Sequence, residues 1–389
     1  MKKIGILSYP KIEDGRGRFL QAYALYTAIS ELGYDVEIIN YRPQFFTYKP
    51  SIKNVIKNIL KDKSEIKSYF HVARSRINGI FFKKQMIISE NKYKMFIKKR
   101  IPYDLDNIVS KEKLNDLGKK YDALVCGSDQ IWNPYFSCGK DDAYFLQFVK
   151  PNKRIAYAAS IGTIQIPPKT LDGLAELIGQ IPYCSMREKT SANYLNQKYS
   201  LEIMRVCDPT LLMPYDWWIE LASCPRYKNK YILLFLFDNN PFPRKKAKEI
   251  AKKKNLDIII ISSDARDIPH SAIDTRSLGP EEFVSLFYHA EMVLTQSFHG
   301  TVLSIVFRKS FYVFDRSEAG QVSGLLLRLE DMLEQYGLSN RIVKNETDFN
   351  ITNIDYSAIE NAIQQHKDCS IAFLKNSLEA ATMSKEIEQ

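Results

Sequence analysis

No apolar run in this chain is long enough to cross a membrane; the longest, such as Tyr231 to Phe237 and Ile258 to Ile261, are strand-sized. The start, Met1-Lys2-Lys3-Ile4-Gly5-Ile6-Leu7-Ser8-Tyr9, has too short an apolar stretch for a signal peptide and lacks a small-residue cleavage site, so it reads as a first strand. Cysteine is scarce and unpatterned. The six residues at 126, 138, 184, 207, 224 and 369 form no CxxC pair and no Cys/His zinc spacing. That excludes a disulfide framework and a structural zinc, and reads as reduced, buried thiols in a cytoplasmic protein. Internal repeats and low-complexity linkers are also missing, and neither a metal nor a cofactor is expected.

What is present is core material and rhythm. With 389 residues, 45% of them hydrophobic, the chain exceeds one ordinary core and predicts two domains with a cleft between them. Short β-branched runs alternate with helical patterns from end to end, which defines an α/β class with parallel sheets and crossover helices. Strands are expected at 3–9, 35–41, 123–126, 154–160, 183–186 and 203–207, then at 231–237, 257–262, 292–295 and 311–314. Prolines punctuate Asp208-Pro209-Thr210-Leu211-Leu212-Met213-Pro214 before a helical pattern at 215–221. The predicted organisation is a first lobe over 1–213, a second over 214–353, and a terminal helical segment over 354–389 that packs back on the first.

The net charge of +10 is local. Between Lys49 and Arg100 there are 15 Lys/Arg against 3 Asp/Glu, a balance of +12 that leaves −2 for the rest. Ile52, Val55, Ile56, Ile59 and Leu60 share one helical face there, and a second apolar face runs from Ile66 to Phe81. Two readings stand: an insertion packed on its own lobe, or a basic amphipathic anchor at an anionic membrane surface. Nucleic acid is set aside as a partner, because Tyr69, Phe70 and Phe81 fall on the apolar helical face and form no stacking platform.

Four constellations carry candidate chemistry. The loop Glu13-Asp14-Gly15-Arg16-Gly17-Arg18 enters a helix near Phe19, and is either an anion cradle with two guanidinium forks or a plain turn. A buried strand ends in Gly127-Ser128-Asp129-Gln130-Ile131-Trp132-Asn133-Pro134, where an open α/β sheet binds ligands, although Ser128 or Asp129 could instead cap a helix. In Cys184-Ser185-Met186-Arg187-Glu188, Arg187 either points into the cleft or pairs with Glu188. The strongest is Thr295-Gln296-Ser297-Phe298-His299-Gly300-Thr301, where an imidazole titrating near neutrality stands at a strand-to-helix junction whose amides suit an anion.

Together, Leu20-Gln21-Ala22-Tyr23-Ala24-Leu25, Gly127-Ser128-Asp129-Gln130-Ile131-Trp132, Met186-Arg187-Glu188, Asp208-Pro209-Thr210-Leu211-Leu212 and Ser297-Phe298-His299-Gly300-Thr301 give the chain its resemblance to the polysaccharide pyruvyl transferase family. The resemblance implies two Rossmann-like lobes like those of GT-B glycosyltransferases, phosphoenolpyruvate as donor, and a sugar acceptor carried on a lipid. It further implies that Arg187 and His299 contact the donor. His299 suits acid/base work because its ordinary pKa lies near neutrality, and a carboxylate, Asp129 or Asp14, could deprotonate the acceptor hydroxyl. Arg187, Ser297, Phe298, Gly300, Thr301, Arg16 and Arg18 then face the donor; Asp14, Gly127, Ser128, Gln130, Trp132 and Asn133 face the acceptor. Two positions depart from the family: Glu13-Asp14-Gly15 stands where many members have an asparagine, and Ser297 where many have an arginine. Another cation, among Arg16, Arg18, Arg276 and Arg316, must then hold the donor. The rival reading is a nucleotide-sugar glycosyltransferase, since this fold hosts both chemistries.

The anchor reading has a direct test. Replacing Lys53, Lys57 and Lys61 with Gln should reduce binding to anionic vesicles, and wild-type binding should fall as salt shortens the screening length below about 8 Å. Salt-independent binding returns the segment to a packed insertion.

Overall fold

The computed structural model describes residues 1–9, 16–43, 83–222, 225, 227–315, 326–344 and 349–383. The amphipathic patterns at 52–60 and 66–81, with Lys53, Lys57 and Lys61, lie outside the described residues, as do Glu13, Asp14 and Arg316.

The first lobe runs β1 (Lys3–Leu7), α1 (Arg16–Glu31), β2 (Asp35–Ile38), α2 (Lys83–Arg100), α3 (Leu114–Gly118), β3 (Ala123–Asp129), β4 (Arg154–Ala159), α4 (Pro168–Gly179), β5 (Tyr183–Met186), α5 (Lys189–Tyr199) and β6 (Met204–Arg205). The linking pieces α6 (Pro209–Leu212) and α7 (Tyr215–Leu221) follow. The second lobe is β7 (Tyr231–Phe235), α8 (Pro241–Lys254), β8 (Asp257–Ile261), α9 (Pro280–His289), β9 (Met292–Thr295), α10 (Phe298–Val306), β10 (Ser310–Phe314), α11 (Leu327–Gln335) and β11 (Ile342–Val343), and α12 (Tyr356–Met383) closes the described chain. Each lobe holds one sheet, in the orders β2-β1-β3-β4-β5-β6 and β11-β10-β9-β7-β8. All pairings are parallel. Helices cover both faces, which is why β3, β4 and β7 are buried along their whole length and show no polar alternation.

Strand ends differ from expectation where the chain turns toward the cleft. β1 stops at Leu7, short of Tyr9, while β3 runs three residues past Cys126 and keeps Gly127 opposite Tyr157 and Asp129 opposite Ala159. Gly127 makes this possible: its φ is +132°, and a Cβ there would stand 2.1 Å from the Tyr157 carbonyl oxygen. β11 was not expected, since two residues carry no periodicity.

A single apolar cluster runs through both lobes, from Ile4, Phe19 and Tyr157 across Trp218 to Phe283 and Val313. Two helices cross between the lobes. α2 buries Tyr93 and Phe96 edge-on against Phe19 of the first lobe, at centroid distances of 5.1 and 5.4 Å. Its other side holds the second lobe: Ser89 donates to the Leu278 carbonyl at 2.6 Å, and Lys92 pairs with Glu282 at 2.6 Å. α12, roughly 42 Å long at 1.5 Å per residue, starts on the second lobe, where Tyr356 donates to the Lys309 carbonyl. It ends on the first, where the Ser370 hydroxyl accepts from the Cys207 amide at 2.8 Å and Leu374, Leu378 and Ala381 are buried. Among the described residues, no helix is long and apolar enough to cross a membrane.

Leu378 is fully buried at that first-lobe contact. Leu378→Ala should cost roughly 2–5 kcal/mol of stability, read as a lowered urea midpoint, and a loss below 1 kcal/mol would show the contact to be loosely packed.

Candidate functional site

The C-terminal ends of both sheets face each other across a cleft of about 630 Å³, the position at which open α/β sheets bind ligands. Local sequence explains how each wall is held. Gln21 of α1 is fully buried and bridges two strand ends, donating to Ser8 Oγ at 2.9 Å and accepting from the Ser128 amide at 3.1 Å. Opposite, Ser297 caps α10: its hydroxyl accepts from the Gly300 amide at 3.1 Å, and its own amide donates to Thr295 Oγ1. Gly300 is required there because a Cβ would stand 2.6 Å from Thr295 Oγ1 and 3.0 Å from the Phe235 ring. The lobes meet closely at Gly17, where a Cβ would fall 2.5 Å from His299 Nδ1. A side chain at 17 would push the imidazole out of place.

Beneath the cleft floor lies a buried ionic cluster. Arg187 donates from Nε to Glu188 at 3.1 Å, from Nη1 to Asp208 at 2.8 Å and from Nη2 to Asp129 at 3.3 Å. Its guanidinium also lies 4.0 Å from the centroid of the Phe298 ring. Arg328 stands on the same ring at 5.6 Å, with Nη1 3.8 Å from Asp129. Burial opposes the charge on Arg187, but Glu188, Asp129 and Asp208 outweigh it and raise its pKa. Burial likewise works against the Asp129 carboxylate, yet Arg187, His299, Arg328 and Arg18 hold it down at about 2. His299 Nε2 is 3.7 Å from Asp208 Oδ2 and has no hydrogen-bond partner. Burial pulls this imidazole below its ordinary pKa, against the pull of Asp208 and Asp129. The resting ring is therefore neutral at neutral pH, and the expectation of a group titrating near neutrality gives way to one displaced downward by desolvation.

The structure brings Arg16, Gly17, Arg18, Asp129, Gln130, Ser297, Phe298 and His299 to the cleft lining, joined by Arg276 and Arg328. Other expected positions point elsewhere. Arg187 lies behind the wall, its donors taken by three carboxylates. Ser128 turns inward, donating to the Ala158 carbonyl at 2.9 Å. Trp132 stacks on Phe145 at 5.3 Å and donates to the Tyr144 carbonyl. Asn133 donates to Gln130 Oε1 at 2.7 Å, and Thr301 is fully buried against the Ser297 carbonyl. Gly127 and Gly300 serve close packing. The capping alternative for Ser128 and Asp129 does not hold, because turns follow β3 and no helix starts there. Asp208 does cap a helix, accepting from the Thr210 amide at 3.0 Å, and its second oxygen faces Arg187 and His299.

Arg328 and Asp208 were not singled out from the sequence. Arg328 left one trace, a lone cation inside the apolar run Gly324-Leu325-Leu326-Leu327-Arg328-Leu329. Asp208 appeared only as the first residue of the motif Asp208-Pro209-Thr210-Leu211-Leu212, with no role of its own. Among the described residues, no group of His, Cys, Asp and Glu is arranged to hold a metal ion.

Residues 16–318 match the model of the family described as polysaccharide pyruvyl transferase. No curated protein matches the sequence. Among solved structures, a Listeria monocytogenes protein assigned as a UDP-N-acetylglucosamine 2-epimerase is similar at 10% identity and TM-score 0.50, over 97% of this chain and 91% of that one. The Neisseria meningitidis UDP-GlcNAc 2-epimerase bound to UDP-GlcNAc gives 10% identity and 0.47, over 99% of each chain. The E. coli ADP-heptose LPS heptosyltransferase II gives 11% and 0.37, over 99% of this chain and 100% of that one. At 10% identity the likeness to the Listeria monocytogenes structure is one of fold alone.

The ionic cluster makes a pH prediction with a definite sign. A carboxyl held at about 2 against an ordinary 3.8 contributes stability that is complete above pH 4 and lost as pH falls toward 2. Asp129→Asn should therefore cost roughly 2 kcal/mol at pH 7, and chemical denaturation at successive pH values should show the difference from wild type shrinking below pH 4. A pH-independent difference would mean the charge of Asp129 contributes nothing.

Proposed function

The chain belongs to the polysaccharide pyruvyl transferase family, and from that premise we propose that it moves the three-carbon unit of phosphoenolpyruvate onto two hydroxyls of a saccharide as a pyruvate ketal, releasing inorganic phosphate. The observation that carries this reading is the gathering of Arg16, Arg18, Arg276 and Arg328 around His299 and the N-terminus of α10 in one interlobe cleft. Phosphoenolpyruvate carries a phosphate and a carboxylate on a three-carbon frame, and guanidinium forks together with a helix N-terminus suit two such anionic ends. Arg328 and Arg276 stand in for the arginine that Ser297 replaces. Arg187 acts at one remove, holding Asp129, Glu188 and Asp208 in place.

His299 is the base. Neutral at rest, its ring accepts the proton of the first sugar hydroxyl as that oxygen bonds to C2 of the donor, while the electron pair of the C2–C3 double bond takes a proton from solvent water at C3 to make the methyl group; the imidazolium afterwards returns the hydroxyl's proton to solvent, so the protons balance. Asp208 and Asp129 stabilise the imidazolium formed in between. Phosphate then departs with the electron pair of its bond to C2, its growing charge met by the cleft arginines. The second hydroxyl closes on C2, and its proton leaves with the phosphate. Of the two carboxylates considered from the sequence as base, Asp14 lies outside the described residues, and Asp129, held at about 2, is too weak to take a hydroxyl proton. The basic segment 49–100 supports a lipid-linked acceptor met at the inner, anionic face of a membrane.

Phosphoenolpyruvate should raise the melting temperature and UDP- or GDP-sugars should not, because a ligand that binds the folded state stabilises it by mass action. His299→Ala should keep that shift while phosphate release falls at least 10²-fold. No hydrogen-bond partner is orphaned by the truncation. In wild type, the acid limb of kcat/KM should lie below pH 6.5, as a base displaced downward requires. A melting shift with UDP-sugars alone would favour glycosyl transfer.

A further inference from the structure

The cleft lining is not made of cations alone. α2 contributes Met86, Ser89, Glu90 and Tyr93, which fall at i, i+3, i+4 and i+7 and so form one helical stripe on the cavity, with Arg16 next to Tyr93. Each has a distinct state. Met86 is more than half exposed although apolar. Ser89 ties the helix to the second lobe through the Leu278 carbonyl. Glu90 is exposed and pairs with Lys94 at 2.6 Å, its carboxylate keeping further acceptor capacity. Tyr93 is buried to 2% exposure, yet its hydroxyl has no hydrogen-bond partner. Leaving a buried hydroxyl unmatched is unfavourable, and such groups in folded proteins call for an explanation. The helix is also fixed in place: Lys92 pairs with Glu282, and Gly279 lies so close that a Cβ there would stand 2.8 Å from Lys92 Cβ.

We propose that this α2 stripe is the acceptor subsite, with the Tyr93 hydroxyl and the Glu90 carboxylate hydrogen-bonding hydroxyls of the hexose while Met86 covers its apolar face. The inference rests on the pyruvyl-transfer reading and adds to it which wall of the cleft chooses the sugar. A carboxylate and an orphan hydroxyl match neutral, hydroxyl-rich chemistry. They do not match a trianionic donor, whose charge the cleft arginines meet, and an acceptor held on α2 shares one cavity with His299.

The test compares Michaelis constants for the two substrates, with phosphate release as readout and p-nitrophenyl glycosides of glucose, galactose and mannose as acceptors. For the glycoside that wild type uses best, Tyr93→Phe and Glu90→Gln should each raise the acceptor KM about tenfold, and leave the phosphoenolpyruvate KM unchanged or, for Glu90→Gln, lowered. Tyr93→Phe should also melt at or above the wild-type temperature, because it removes an unmatched buried group. Unchanged acceptor KM values in both variants would overturn the subsite while leaving pyruvyl transfer standing. A phosphoenolpyruvate KM raised as much as the acceptor KM would also overturn it. Wild-type enzyme inert toward all three glycosides would overturn the subsite together with the reading beneath it.

Discussion

Arg187 is bound by three carboxylates and an aromatic face, and those partners come from four separate parts of the chain. Asp129 ends β3, Glu188 follows β5, Asp208 caps α6, and Phe298 opens α10 in the second lobe. A buried guanidinium is tolerated only where its charge is matched and its donors are used. Meeting that condition here fixes the first lobe's strand ends against one another and against the helix that carries His299. The cation holds the shape of the site without entering the cleft. Removing it would leave three carboxylates facing one another in a dry interior.

The same arrangement sets the electrostatics of the cleft. Asp208 is shared between Arg187 and the imidazole, so His299 has a nearby anion to meet a proton and yet remains neutral at rest because burial dominates. In the same cavity, α2 supplies Met86, Ser89, Glu90 and Tyr93 alongside four arginines from elsewhere in the chain. Cations and hydroxyl-bearing side chains in one cavity suit a reaction between one highly charged and one neutral partner.

Much of this was legible in the sequence. Parallel strands announce themselves as short, largely apolar runs between helical patterns, and β5 and β9 fell on their expected residues. The junction at His299 was legible because a strand, a capping serine and a glycine occur in order. Side-chain direction was harder. Arg187 and Trp132 sit at strand ends as expected but turn away from the cleft, and a strand's pattern gives its faces without saying which contact a terminal residue will choose. Arg328 and Tyr93 were out of reach for another reason: each comes from a helix far along the chain from the motifs it joins, and only tertiary packing brings it there. The lobe interface, with Gly17 against His299, is a relation between two residues 282 positions apart.

The path of α12 bears on how the chain acquires its shape during synthesis. Leu374, Leu378 and Ala381 complete the inner face of the first lobe, and Ser370 satisfies the amide of Cys207 there. When translation has delivered every strand of that lobe, about 150 further residues separate it from the start of the helix that covers it. Domains commonly fold in the order they emerge. This one cannot finish in that order: α1 covers part of its inner sheet face, but the part around β4 stays open to solvent, and to chaperones, until the second lobe has also left the ribosome. The two lobes are thus coupled in biogenesis, and a nascent chain stalled after the second sheet would expose the apolar surface around Tyr157 that the last helix hides.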